Sequence, residues 1–335
     1  MTFPALRLRR LRSSPAMRDL VQEVRLHPSD LIQPYFVHDY DDDAPIASLP
    51  GQWRLSLTSV CERSRTFYDH GGRAVLLFPV VGASLKDDVG SESLNPNTLH
   101  ARAVAAVKAA VPELLVMADV ALDPYTRHGH DGLLDDAGDV DNDATIEALI
   151  GQALVLARAG VDVIAPSDMM DGRIGALRAA LDDAGFSGVS LLSYTAKFAS
   201  HLYGPFRDAV GSGGALKGDK KTYQMNPANA GEALREAAED IAEGADMLMV
   251  KPATWYLDVL YRIRQSTDVP VLAYHVSGEY AMLHALAQQT GTPFQALYHE
   301  ALLSIKRAGA RGIVTYGAED VVGEVKSALC PISRR

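Results

Sequence analysis

The sequence predicts an α/β fold, a TIM (β/α)8 barrel carrying an N-terminal arm, and two observations lead there. Five glycines that close helical patterns, Gly71, Gly160, Gly185, Gly244 and Gly309, are each followed within a few residues by a short apolar run. Such a glycine supplies the left-handed residue after a helix, and the run after it reads as a strand buried on both faces. Further apolar runs without that glycine bring the candidate strands to eight, and eight parallel strands separated by helices close into a barrel. An open doubly wound sheet alternates strand and helix in the same way and is the competing topology.

In chain order the expected strands are residues 34–37, 74–78, 114–118, 161–165, 189–193, 247–250, 269–273 and 313–316. Residues 1–30 lie outside this cycle. Their first eighteen positions hold Arg7, Arg9, Arg10, Arg12 and Arg18 and no acid. No apolar stretch of the kind a secretory signal needs follows, so the segment reads as a basic arm for subunit contacts rather than a targeting sequence. Residues 31–335 then form the catalytic barrel domain, without linker or low-complexity stretch.

With 47% hydrophobic and 22% charged residues over 335 positions, the composition is that of a globular protein that stays in water. A formal net charge of -10 argues against nucleic acid or an anionic membrane as the main partner. No apolar run approaches the roughly 18 residues that span a bilayer. Two cysteines, Cys61 and Cys330, offer neither a disulfide framework nor a zinc cluster, and a cytoplasmic setting is expected.

Chemistry is expected at the C-terminal ends of the strands, where barrels build their sites. Asp119 follows the third strand, Ser167 and Asp168 the fourth, Lys197 the fifth, Lys251 the sixth and Ser277 the seventh, while Tyr316 closes the eighth. A strand-end lysine usually reaches out to water. Two of them on adjacent strands, about 4.8 Å apart, would repel each other and depress each other's pKa. A neutral amine attacks a ketone to form an imine, whereas fewer than about one ordinary lysine in a thousand is deprotonated at pH 7. The pair therefore suggests imine chemistry done twice.

Three further clusters surround the lysines. The segment 204–224 sets Gly211, Gly213, Gly214 and Gly218 among Arg207, Lys217, Lys220, Lys221 and Gln224. It reads as a lid for an acidic substrate, or as a solvated basic loop. The stretch 119–132 carries His128 and His130 near Asp119, Asp123 and Asp131; its His-x-His is a short and common metal pattern, and structural histidines fit it equally. Glu232, Glu236 and Asp240 follow one another at four-residue spacing on a helix that Asn226 is expected to cap and Pro227 to begin. Like charges at that spacing repel, and a divalent cation or an arginine of another subunit would relieve them.

These motifs together resemble one family, porphobilinogen synthase, also called delta-aminolevulinic acid dehydratase. The likeness runs from about Arg7 to the C-terminus and rests on long strings: residues 119–132, Ala165-Pro166-Ser167-Asp168-Met169-Met170-Asp171-Gly172, 194–207, 218–227, Met249 to Pro252, and Val276-Ser277-Gly278-Glu279-Tyr280. The resemblance implies that two 5-aminolevulinate molecules join into porphobilinogen with loss of two waters, for tetrapyrrole and heme synthesis. It implies a Schiff base on Lys251 for the molecule giving the propionate side and one on Lys197 for the acetate side, with Asp119 and Ser167 in the same site. Ser277 and Tyr316 would hold the first carboxylate; Arg207, Lys221 and Gln224, with Lys220 nearby, the second.

The resemblance also implies a homo-octamer, an arm that embraces a neighbour, and no organic cofactor. Zinc-dependent members carry cysteines where this chain has Ala121, Asp123 and Asp131, so no catalytic zinc is expected; whether the two aspartates hold any metal stays open. Glu236 matches the position of an activating, allosteric magnesium. Gly317 and His275 replace an expected phenylalanine and glutamine, and both bear on local packing near the second carboxylate site. A class I aldolase shares the fold but needs one lysine; a metal hydrolase built on His128 and His130 would need neither; an inactive binding barrel would not preserve lysines and lid together.

Overall fold

A computed structural model of the chain describes residues 6–211, 216 and 218–329. Gly213, Gly214, Lys217 and Cys330 lie outside the described residues. Eight parallel strands form a closed barrel: β1 Leu31–Val37, β2 Ala74–Pro79, β3 Leu115–Val120, β4 Val163–Pro166, β5 Ser190–Lys197, β6 Met247–Lys251, β7 Val271–His275 and β8 Ile313–Thr315. Each pairs with the next, and β8 returns to β1 through Leu31↔Ile313 and Ile32↔Val314. Closure removes the sheet edges that an open doubly wound sheet would leave.

The apolar runs become these strands because both faces are covered. Every residue of β1 and β2 is buried, one side chain facing the barrel interior and the next the helices. Burying a single leucine or phenylalanine in this way contributes about 1.5 to 3 kcal/mol. Helices Leu57–Asp69, Leu99–Ala110, Asn142–Arg158, Arg173–Asp183, Ala230–Ala242, Leu257–Ser266, Phe294–Arg307 and Ala318–Leu329 alternate with the strands. Ser56 and Asp141 start two of them by accepting the amides of Ser59 and Ala144. The five predicted glycines each stand one residue after a helix cap, with φ between 85° and 116°.

Two expectations are corrected. The helix carrying Glu236 begins at Ala230 with Asn229 as its cap residue. Asn226 instead closes a turn ahead of it, its Oδ1 accepting from the Ala228 amide and its carbonyl from that of Asn229. Strand β5 runs four residues beyond its expected end, through a bulge between Ser193 and Ala196.

Two additions sit outside the barrel. The strands Ala44–Pro45 and Trp53–Leu55 form an antiparallel pair that extends β1, with Phe36 opposite Arg54. The arm forms the short helices Leu8–Arg12 and Pro15–Leu20, in which no residue is buried. Among the described residues no helix is long and apolar enough to cross a membrane.

Candidate active site

One cavity at the C-terminal ends of the strands is lined by Asp119, Asp123, Asp131, Ser167, Lys197, Tyr203, Phe206, Arg207, Lys220, Gln224 and Lys251. Nine of these were singled out from sequence; the aromatic pair Tyr203 and Phe206 was not. The cavity measures about 20 Å³, room for roughly one water.

Lys197 and Lys251 stand opposite each other in register across β5 and β6. Their surroundings differ. The Lys251 ammonium nitrogen lies 4.5 Å from the ring centre of Tyr274, 5.0 Å from Tyr194, 5.1 Å from Phe206 and 5.3 Å from Tyr203. Burial and the charge of Lys197 push Lys251 down to about 7, against the partial opposition of Asp119. Lys197 donates to Asp131 Oδ2 at 3.2 Å and to the Ser167 carbonyl.

The carboxylates divide as well. Burial pushes Asp119 up to about 7, with Lys251 opposing, and one of its oxygens has no hydrogen-bond partner. Asp131 is equally buried, yet Lys197 and Lys220 hold its carboxyl well below the usual carboxylate range. Lys220 bridges the two aspartates, 2.7 Å from Asp131 Oδ1 and 3.4 Å from Asp123 Oδ2. Burial would discharge Lys220, but these two aspartates keep its pKa raised. Asp123 and Asp131 are thus each paired with lysine.

Below the cavity, Asp168 accepts the Met170 amide at 2.7 Å and faces Arg173 at 3.6 Å. Met169 between them takes φ 73°, a left-handed conformation uncommon for a residue with a side chain. That turn brings the Ser167 carbonyl to Lys197. Arg173 continues to Asp240 at 3.6 Å and donates to Ser193 Oγ at 3.0 Å. Asp240 also accepts from Ser193 and Thr195 at 2.7 and 2.5 Å, so it is buried in the layer between barrel and helix and leaves the acidic stripe to Glu232 and Glu236.

Three expected residues stand outside the cavity lining. Lys221 is 70% exposed and paired with Asp219 at 3.2 Å. Ser277 Oγ accepts the Phe206 amide at 3.0 Å and donates to the Leu202 carbonyl at 3.3 Å, a close approach that leaves no room for a side chain at Gly278, whose Cβ would fall 2.5 Å from that oxygen. Tyr316 shares a 3.0 Å hydrogen bond with Tyr274, one ring away from Lys251. The space beside Gly317 is filled by Tyr298, whose ring a Cβ would meet at 2.9 Å and whose Oη accepts the Gly317 amide at 2.9 Å. His275 Nδ1 lies 3.2 Å from Thr315 Oγ1 in the same packing. His128 and His130 are buried: the His128 ring lies 3.2 Å from the Asp88 carbonyl and accepts the His130 amide, and the His130 ring meets Tyr223 Oη at 3.1 Å.

The chain matches the delta-aminolevulinic acid dehydratase family over residues 5–323. It is 49% identical to a delta-aminolevulinic acid dehydratase of Rhodobacter capsulatus over 94% of this chain and 95% of that one. It is 48% identical to one from Streptomyces coelicolor over 96% and 97%. Among solved structures, the Toxoplasma gondii ME49 enzyme in complex with its reaction product porphobilinogen superposes with a TM-score of 0.95, at 48% identity, over 98% of this chain and 94% of that one.

Proposed function

The chain belongs to the delta-aminolevulinic acid dehydratase family and, as a lyase, forms porphobilinogen from 5-aminolevulinate, and we propose that both new bonds are made through imines on Lys251 and Lys197. The observation carrying this reading is the pair itself: two register-matched lysines in one cavity, one with its pKa lowered by burial and one paired with Asp131. Each amine adds to the ketone of one substrate and expels one water. The carbon next to the second ketone gives up a proton and attacks the imine carbon on Lys251, and that lysine leaves as the amine. The amino group of the first substrate attacks the imine carbon on Lys197, and that lysine leaves in turn. Two substrates give one pyrrole and two waters, and both lysines are restored.

Asp119, poised between its protonated and charged forms, is suited to carry protons at Lys251. Ser277 and Tyr316 would hold the carboxylate of the substrate on Lys251. Arg207 and Gln224 would hold the other. In support, Arg207 lines the cavity and has no ion-pair partner among the described residues, and Gln224 Oε1 is buried without a hydrogen-bond partner. Lys220 is paired with Asp123 and Asp131, beside the site of the second carboxylate. Lys221 reaches a substrate only if it leaves Asp219. Borohydride reduction during turnover, followed by peptide mapping, tests the assignment.

We also read the half-buried Glu236 as the holder of an activating magnesium. Burial and the charges of Asp240, Asp171 and Glu232 raise its pKa, and a cation would relieve that repulsion. A hydrated ion resting on one or two carboxylates fits such a face. Bound there, magnesium would supply only charge, remote from the lysines. The octameric assembly and a cytoplasmic setting belong to the same reading. The arm supports the first: Leu6, Leu8, Leu11 and Leu20 are 49 to 78% exposed in the single chain and call for a covering surface.

A further inference from the structure

We infer that Arg54, on the hairpin beside β1, is a positioning residue that sets Arg207 over the cavity; this rests on Arg207 binding a substrate carboxylate. The helix Gly204–Ala209 carries both Phe206 and Arg207. At one end it is fixed to the barrel. The Phe206 amide donates to Ser277 Oγ, and the Phe206 ring packs on Phe36 and Phe78 at centroid distances of 5.6 and 5.2 Å. At the other end a helix of six residues leaves carbonyls without intrahelical partners. Arg54 supports that end: Nε donates to the Ala209 carbonyl at 2.8 Å and an Nη to that of Asp208 at 2.7 Å, which also accepts the Gly211 amide at 3.1 Å. Ser48, in the same hairpin, donates to the Asp208 carboxylate at 2.5 Å.

The hairpin itself is registered on the strand that Phe206 packs against, because Arg54 stands opposite Phe36. The two attachments therefore share one frame, and Arg207 lies between them. A forked guanidinium satisfies two carbonyls at a fixed angle, which a lysine cannot reproduce. Without it, the far end of the turn carrying Arg207 keeps only the Ser48 contact to Asp208 and the Gly211 amide, and the binding-competent orientation is populated for a smaller fraction of the time. Apparent affinity falls by that fraction.

The test is a double-mutant cycle on the full-length enzyme with 5-aminolevulinate as the probe. Arg54→Ala is expected to raise KM about tenfold, as when the competent orientation is populated roughly a tenth of the time, with little change in kcat. Arg54→Lys recovers only part of this. In an Arg207→Ala background the same Arg54→Ala change should add nothing. Amide exchange over residues 205–211 should quicken in Arg54→Ala while the strands stay protected. An equal KM increase in both backgrounds, or loss of protection across the whole barrel, overturns the inference and makes Arg54 a general structural residue. If Arg207→Ala by itself leaves KM unchanged, it is the carboxylate role of Arg207 that fails, and the role of Arg54 falls with it.

Discussion

Lys197 and Lys251 face each other in register across β5 and β6, yet a carboxylate grips the first at 3.2 Å and four aromatic rings surround the second. The contrast separates their tasks before substrate arrives. Burial and the nearby charge of Lys197 disfavour the ammonium at Lys251, so it is the ready nucleophile. Lys197 must first release its contact to Asp131.

Replacing Lys251 or Lys197 with alanine should therefore reduce turnover by at least about a thousandfold, since no other amine replaces the lost imine. Borohydride with limiting 5-aminolevulinate should mark Lys251 first. A reduced adduct mapped to neither lysine would remove the imine mechanism from this enzyme.

The reactivity of Lys251 should rise with pH through about 7, where burial and Lys197 place its titration, rather than near the reference value of about 10.4. The sign follows from the reactive form: below the midpoint the ammonium dominates and cannot add to a ketone. In Lys197→Ala the repelling charge is gone, so the midpoint for trapping at Lys251 should move up. A midpoint near 10 in the unaltered enzyme, or one insensitive to Lys197, contradicts this account.

How far the site could be read from sequence depends on one residue of slippage. Ser193 and Thr195 point outward to Asp240, so strict alternation would send Lys197 outward too. The bulge between Ser193 and Ala196 adds one residue and turns Lys197 inward to line the cavity. Strand-end position identified both lysines, but no local pattern announced the bulge. Apolar runs and helix-closing glycines located all eight strands because parallel strands covered on both faces leave that signature. The rings around Lys251 were hidden for the opposite reason: Tyr194 and Tyr274 look like ordinary buried strand residues until the barrel closes. Asp240 misled for a similar reason, since spacing places it on a face without saying that Ser193, Thr195 and Arg173 lie beneath.

Arg207→Ala should weaken apparent substrate affinity by about one to two orders of magnitude, the loss of a charge-assisted contact worth roughly 1.5 to 3 kcal/mol. Steady-state kinetics with the variant check this directly. Unchanged KM would place the second carboxylate elsewhere, with Lys221 released from Asp219 the next candidate.

Gly317→Phe should destabilise the fold by about 1 to 3 kcal/mol, because Tyr298 already fills the space and an overpacked core is strained. Thermal unfolding measures the change. Pairing it with Tyr298→Ala reopens the space and should recover part of the loss; a Gly317→Phe enzyme as stable as the original would show that the Tyr298 ring can move aside.

Magnesium removal should leave partial activity, and magnesium added back should raise both activity and assembled mass, with zinc unable to substitute. The ion is expected at the periphery because the central carboxylates are already neutralised: Asp131 by Lys197 and Lys220, Asp123 by Lys220. Glu236 faces a cleft that also borders Gln224, which lines the active-site cavity, so charge at Glu236 lies one short segment from the substrate pocket. An ion that binds the larger assembly in preference to smaller ones must favour that assembly, by linkage. Because burial raises the Glu236 pKa, protons should displace magnesium at a higher pH than an ordinary carboxylate would allow, and stimulation should fade early as pH drops. Glu236→Ala should abolish both the stimulation and its pH dependence. A Glu236→Ala enzyme that still gains activity and mass with magnesium would move the ion to another site, and Asp123 and Asp131 would qualify only after Lys220 had been displaced from between them.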